Sequence, residues 1–313
     1  MDRRHFLGSA ALAAAAVATA HPLSATDVAH DSPEGTSASG RKAAPTPDGL
    51  AVRFLGTGAA DWKGPDERGE HRRLSSVLVE RSFLIDFTPS DRDMLPEDMR
   101  PEVIFYTHSH GDHYNPQAAL EAGVRQVYVN STILQKAKDD FQAAADKLGC
   151  AEPVITSLSP GASARVGEVV VTALPANHFV SPTEQTQIYL LQKGEVRLLY
   201  ATDTGGLPAG ATRLAGIDAH RPGKPITALI MEATMGLGYE DDYRIFCHSS
   251  VRTVHQTWRV LSETGRYTPP EGQPVYLTHM ARTLHGTQAE LDATLPAPLR
   301  AAWDGLEVVF RPV

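Results

Sequence analysis

Six consecutive residues, His108-Ser109-His110-Gly111-Asp112-His113, place three imidazoles and a carboxylate on one short stretch of chain. Imidazole nitrogens and carboxylate oxygens are the donors that divalent metals accept, and such groups crowded together without a cation would be costly to bury. An apolar run, Val103 to Thr107, precedes them, and Gly111 is expected to let the loop turn tightly so that the side chains converge. The same chemistry recurs three times directly after an apolar run. His178 follows Val166 to Leu174, Asp203 opens the Gly-containing turn Ala201-Thr202-Asp203-Thr204-Gly205-Gly206, and His279 ends Val275-Tyr276-Leu277-Thr278-His279. Taken singly, each is an ordinary loop residue. Their repetition at run ends points to one rim on which metal-competent side chains meet. No thiolate occupies these positions, so the set suits zinc, manganese or iron.

The runs that must position these groups have the length and Val/Ile/Phe/Tyr content of strands. They are Ala51 to Leu55, Ser76 to Glu80, Phe83 to Phe87, Val103 to Thr107, Val127 to Val129, Val166 to Leu174, Gln187 to Leu191, Val196 to Ala201, Ile226 to Glu232, Val275 to Thr278 and Leu306 to Phe310. Helices are expected over Pro116 to Ala122, Ser131 to Leu148, Ser249 to Thr264 and Thr287 to Ala293, the third with a Ser pair able to cap it. A strand-rich first half and a mixed second half predict an α/β (α+β) chain in which helices cover the outer faces of sheets.

The chain has 313 residues with 42% apolar and 21% charged, enough to bury a real core and too apolar for global disorder. Residues 1–20 carry Arg3-Arg4, then an Ala/Leu/Val stretch, then Ala18-Thr19-Ala20, the pattern of a secretory signal with a twin-arginine-like start. Residues 21–48 are rich in Ser, Thr, Ala, Gly and Pro and read as a flexible linker, leaving 49–313 as one domain. The expectation is an exported protein, periplasmic or extracellular, delivered by export machinery and without a stable membrane anchor. A balance of 29 Lys plus Arg against 37 Asp plus Glu, net −8, with no basic cluster longer than two residues, argues against long nucleic acid as a partner and for a small-molecule substrate. Two cysteines, Cys150 and Cys247, are too few for a disulfide scaffold and are read as free thiols. Nothing in the sequence fixes an oligomeric state.

The H-S-H-G-D-H run, the later single His178, the Asp203 of A-T-D-T-G-G and the L-T-H at His279 together resemble the metallo-β-lactamase-fold hydrolases, in the order that family shows them. Phe54-Leu55-Gly56-Thr57-Gly58 is similar to the family's first strand and turn. The resemblance implies an αββα sandwich with two divalent metal ions at the sheet edges. It implies that His108, His110 and His178 bind one, that Asp112, His113 and His279 bind the other, and that Asp203 bridges them. Met231-Glu232-Ala233-Thr234 resembles the H-E-A-T segment of the phosphodiesterase branch, which holds the tRNA 3′-processing nucleases and the phosphoribosyl cyclic phosphodiesterase. Cys247-His248-Ser249-Ser250 is similar to that branch's H-S-T segment, whose His donates a proton. Met231 stands where the branch has His, so any contact made by that His is missing, and no basic arm for gripping tRNA is visible.

The mechanism expected from these charges is attack on phosphorus by a hydroxide held between two metals, with His248 as proton donor and Glu232 orienting it. The catalytic set is therefore Asp112, His248 and Glu232. Two other outcomes stay open: hydrolysis of a carboxylic ester or lactone by the same metals, and metal or ligand binding without turnover. Outside the set, His285 is read as a surface residue at a helix start, His255 as packing or surface, and Asp61-Trp62 as either a pocket wall or a loop anchor. Substrate recognition is expected from loops such as Asp61 to Arg73 and Gly206 to Lys224.

Overall fold

The computed structural model describes residues 48–220 and 222–313; the expected signal, and the linker up to residue 47, lie outside the described residues. Among the described residues, fourteen strands form two seven-stranded sheets. The first contains β1 (Leu50–Gly56), β2 (Ser76–Val79), β3 (Phe83–Ile85), β4 (Val103–Phe105), β5 (Gln126–Val129), β6 (Val154–Ser157) and, at its far edge beside β1, β14 (Glu307–Phe310). The second runs in space from β7 (Ser163–Val166) through β8 (Val169–Pro175), β9 (Gln187–Lys193), β10 (Val196–Ala201), β11 (Ala228–Glu232) and β12 (Val275–Thr278) to β13 (Leu299–Ala301). Helices α1 (Pro116–Ala122) and α2 (Leu134–Leu148) accompany the first sheet. Helices α3 (Ala209–Leu214) and α4 (Val251–Glu263) accompany the second, and α5 (Gln288–Thr294) lies near β13.

Strand periodicity explains the layering. In β4, Phe105 belongs to the core shared by both sheets, with Phe54, Tyr189, Leu198 and Ile230, whereas its neighbour Ile104 packs outward with Ala119 and Phe141 of α1 and α2. In β10, Leu198 faces the other sheet while Leu199 packs with Val254 and Leu261 of α4. Both faces of these strands are buried, which is why they read as continuous apolar runs. The result is the expected αββα sandwich. Each large apolar side chain taken into these layers contributes about 1.5–3 kcal/mol of burial free energy.

Register puts the functional loops on one rim. β3, β4 and β5 are parallel neighbours (Ile85↔Phe105, Phe105↔Tyr128), and so are β10, β11 and β12 (Tyr200↔Ile230, Ile230↔Tyr276). β8 and β10 both lie antiparallel to β9 and therefore run the same way. The loops leaving β4, β8, β10, β11 and β12 carry the singled-out residues. α4 starts as expected, with the Ser250 side chain accepting from Thr253 N at 3.1 Å. Three strands and one helix escape the sequence pattern: β6 and β7 are largely exposed edge strands, β13 has three residues, and α3 sits inside the expected loop Gly206 to Lys224.

Candidate metal centre

The rim gathers every residue of the expected set. His108 Nε2 and His178 Nε2 each stand 3.0 Å from His110 Nδ1, the spacing of ligands around one ion with bonds of roughly 2 Å. On the other side, His113 Nε2 and His279 Nε2 lie 3.4 and 3.5 Å from Asp112 Oδ2. Asp203 stands between the two groups: Oδ2 is 3.0 Å from His113 Nε2 and 3.4 Å from His279 Nε2, while Oδ1 is 3.8 Å from His178 Nε2. Donor atoms of His108, His110 and His178, and of Asp112, His113 and His279, form clusters tight enough to hold a metal ion.

Outer hydrogen bonds aim these rings. Thr107 Oγ1 donates to Asp86 Oδ2 at 2.7 Å and so accepts from His108 Nδ1 at 2.9 Å. Asp86 Oδ2 accepts from His113 Nδ1, the Cys247 carbonyl accepts from His178 Nδ1 at 3.3 Å, and Thr234 Oγ1 accepts from His279 Nδ1 at 2.9 Å. Each of these imidazoles spends Nδ1 outward and turns Nε2 inward. Buried His113 Nε2 and His279 Nε2 have no hydrogen-bond partner among the described residues. Buried orphan nitrogens are costly, and with their outward neighbours satisfied they fit the two-ion arrangement by donor chemistry and by geometry. His113 and His279 hold the Asp112 carboxyl far below the usual carboxylate range against burial, which raises it.

Backbone strain collects at the same place. Asp86, Asp203 and His279 are left-handed, at φ 57°, 50° and 53°, a conformation that non-glycine residues adopt rarely and chiefly where surrounding structure enforces it. Gly205 is tightly approached, since a Cβ there would stand 2.9 Å from Asn177 Nδ2 and 3.3 Å from the Cys247 backbone. Gly111 differs from expectation: its φ is not positive, and a Cβ would meet nothing. The loop turns without needing glycine, and Gly111 instead lines the cleft mouth.

Next to the cluster stands His248. Its Nδ1 lies 3.1 and 3.2 Å from the two oxygens of Glu232 and 3.7 Å from Asp203 Oδ1. Burial pulls the imidazole down, but the charge and hydrogen bond of Glu232 and the charge of Asp203 outweigh it and push the pKa up to about 9. Glu232 is fully buried; it also accepts from Thr204 N and, at 2.6 Å, from Thr234 Oγ1. Met231 lies in the layer between the second sheet and its helices, with Leu199 and Val254. The His that this position has in the resembling branch would therefore face helices here, and Met231 removes nothing from the cleft.

The cleft has a volume of about 320 Å³ and is lined by His110, Asp112, His178, His248, Asp61 and Arg244 among others. Of the pair Asp61-Trp62, Asp61 lines it while accepting from Arg282 N at 2.8 Å, and Trp62 is a buried anchor whose Nε1 donates to Met280 O at 2.8 Å. His285 is half-buried: its Nε2 lies 2.7 Å from Ala233 O, its Nδ1 has no partner among the described residues, and desolvation pushes its pKa down to about 4. His255 packs beside Trp258, ring centroids 5.1 Å apart. Cys150 and Cys247 are free. Sequence reasoning missed Asp86, Thr234 and Arg244.

A family model described as the beta-lactamase superfamily domain matches residues 81–280, more than half of the chain and every residue of the cluster. The chain belongs to that superfamily. No curated protein sequence matches it. Among solved structures, this superfamily member is similar to a new diphosphatase from the PhnP family, at 19% identity and TM-score 0.57, over 84% of this chain and 98% of that one. It is similar to the short form of human tRNase Z, ELAC1, at 18% identity and TM-score 0.59, over 84% and 100%. It is also similar to Zn²⁺-bound PqqB from Methylobacterium extorquens, at 16% identity and TM-score 0.59, over 82% and 99%. At these identities the likeness is one of fold: a metallo-β-lactamase sandwich whose rim, in this superfamily member, carries a His/Asp set able to hold metal.

Proposed function

We propose that this chain is a metal-dependent hydrolase of small phosphodiesters. The observation that carries the reading is the Glu232–His248 pair beside the two proposed ion sites: a buried carboxylate holds an imidazole at the cleft, where a leaving alkoxide would need a proton. Asp203, with one oxygen toward each cluster, is the proposed bridge; His108, His110 and His178 would hold one ion and Asp112, His113 and His279 the other. A bound divalent pair would supply Lewis-acid polarisation of the phosphoryl oxygens and an acidified water as nucleophile.

The protein's own groups then have definite tasks. Glu232 accepts a hydrogen bond from His248 Nδ1–H and its charge favours the protonated ring, so that Nε2 carries the proton to be given to the leaving oxygen. Thr234 ties Glu232 to His279, so the proton donor and a proposed ligand share one support. The PhnP-family diphosphatase and tRNase Z among the similar structures are consistent with phosphate chemistry. The net charge of −8 favours a small diester over a nucleic acid. Export through the twin-arginine-like residues 1–20 belongs to the same proposal.

The test is hydrolysis of bis(4-nitrophenyl) phosphate by the purified protein, loaded with zinc or manganese and compared with the chelator-stripped form. Metal-dependent release of nitrophenolate is the expected result. Turnover of carboxylic esters or lactones alone, by folded and metal-loaded protein, would replace this reading with that of an ester hydrolase.

A further inference from the structure

Four aromatic side chains are exposed among the described residues: Phe246 at 81%, Tyr243 at 77%, Phe179 at 64% and Tyr239 at 42%. All four sit on two segments, and these segments carry His178 and His248. Phe179 follows His178, and the other three lie on the connection from β11 to α4 that also carries His248. The segments are joined: Asn177 Nδ2 donates to Phe246 O at 3.4 Å and to Gly205 O at 3.0 Å, and Cys247 O accepts from His178 Nδ1. Exposed aromatic surface concentrated on the two segments that supply His178, Arg244 and His248 to the cleft wall points to a ligand-contacting patch rather than to scattered surface apolarity.

The same connection holds Arg244 in the cleft wall. Asp242 fixes it through two bonds, to Nε at 2.8 Å and Nη2 at 2.9 Å. No hydrogen bond among the described residues uses Nη1. A guanidinium locked by a carboxylate yet keeping one free N–H edge is a preorganised hydrogen-bond donor for an anionic oxygen.

We propose that Arg244 and the Phe246/Phe179 patch select the substrate: an anionic oxygen of the diester meets Arg244 Nη1, and the ester group that is not expelled is a flat aromatic or broad apolar moiety lying on Phe246 and Phe179. This rests on the phosphodiesterase reading and gives its substrate class, a diester with an aromatic group on its retained side. The same patch would have no use for a diester of two small alkyl groups.

The experiment compares phenyl 4-nitrophenyl phosphate with methyl 4-nitrophenyl phosphate, which share a leaving group, each rate being divided by its uncatalysed hydroxide rate. Metal-loaded enzyme is expected to prefer the phenyl diester about tenfold or more in kcat/KM, mostly through KM, in line with ring stacking on an aromatic platform. Phe246→Ser and Phe179→Ser should bring the ratio toward one, while Val260→Ser, exposed on α4 away from the cleft, should leave it alone. Calorimetric binding of phenylphosphonate supplies a readout without turnover, and Phe246→Ser and Arg244→Gln should each weaken it about tenfold with metal content unchanged. A wild-type ratio near one, or a ratio indifferent to both Phe variants, overturns the proposal. So does Phe246→Ser dissolving a dimer without changing the ratio, which would make the patch an interface between copies. If neither diester is hydrolysed, the phosphodiesterase reading fails, and the phenylphosphonate affinities still decide whether the patch binds aromatic anions.

Discussion

Asp86 Oδ2 stands 2.8 Å from His113 Nδ1, both side chains fully buried, and the same carboxylate also accepts from Thr107 N at 2.8 Å and Thr107 Oγ1 at 2.7 Å. One residue at the end of β3 thereby orients His113 directly and His108 through Thr107. His108 clusters with His110 and His178, His113 with Asp112 and His279, and the two rings also meet each other in a group with Asp203.

Asp86→Asn should therefore loosen metal binding while keeping the fold. The amide matches the carboxylate in size but presents an NH₂ toward donors that need an acceptor, so His113 loses the partner that holds its tautomer. Removal of such outer partners lowers metal affinity by about 10- to 100-fold. Competition against a chromogenic chelator, with circular dichroism as the folding control, reads the effect. Unchanged affinity would mean that packing alone positions His113.

Thr234 joins what the sequence separates. Its hydroxyl donates to Glu232 Oε2 at 2.6 Å and lies 2.9 Å from His279 Nδ1 and 3.2 Å from His248 Nδ1. Thr234→Val keeps the shape and removes the hub, leaving a buried carboxylate short of one donor at a cost of about 1–3 kcal/mol. Expected are a lower melting temperature and a drop in both zinc affinity and turnover. Thr234→Ser should restore both, an outcome that a purely steric role for the methyl group would not give.

The metal-competent residues were legible because repetition at strand ends is a pattern along the chain. His108, His110, Asp112, His113, His178, Asp203 and His279 all follow apolar runs that became strands. Asp86 falls inside the expected run Phe83 to Phe87, where a single carboxylate carries no signal; the strand stops at Ile85, and parallel pairing of β3 with β4 sets Asp86 against Thr107 and His113. His285 keeps part of its surface, and the part it buries is covered by a distant segment, Ala233 to Gly236, which no local pattern announces. Strands β6 and β7 lacked signal because edge strands with exposed side chains carry no apolar period.

His248 belongs to the proton-donor role only if it can be removed without losing metal. Its contact with Glu232 predicts that His248→Ala retains both ions, with His108/His110/His178 and Asp112/His113/His279 sufficing as ligands, and loses about 10²- to 10⁴-fold in turnover. Metal analysis beside steady-state kinetics separates the cases. Loss of an ion in the variant would make His248 a ligand, a role its 3.7 Å distance from Asp203 Oδ1 makes geometrically available.

Asp91 gives the fold a pH dependence away from the cluster. It is fully buried after β3 and accepts from Thr88 N at 2.8 Å, Thr88 Oγ1 at 2.9 Å and Ser90 Oγ at 3.0 Å. Burial raises its pKa from 3.8 to about 7, the hydrogen bonds opposing the rise only in part. A folded-state pKa above the unfolded one means that the native chain keeps a proton that the unfolded chain releases between pH 4 and 7. The stabilisation is complete below the unfolded value and is lost as pH climbs through about 7. Asp91→Asn cannot ionise, so the stability of wild type relative to the variant should rise on acidification across that window, by at most about 4 kcal/mol at 1.36 per pKa unit. At pH 8 the Asn variant should close or reverse the gap, because wild type then buries a charge. Urea unfolding of both proteins between pH 4 and 8, each stripped of metal so that ligand protonation cancels, measures the difference. A difference that stays flat across the window would show that Asp91 is ionised in the native state throughout, its three hydrogen bonds sufficing to hold the charge.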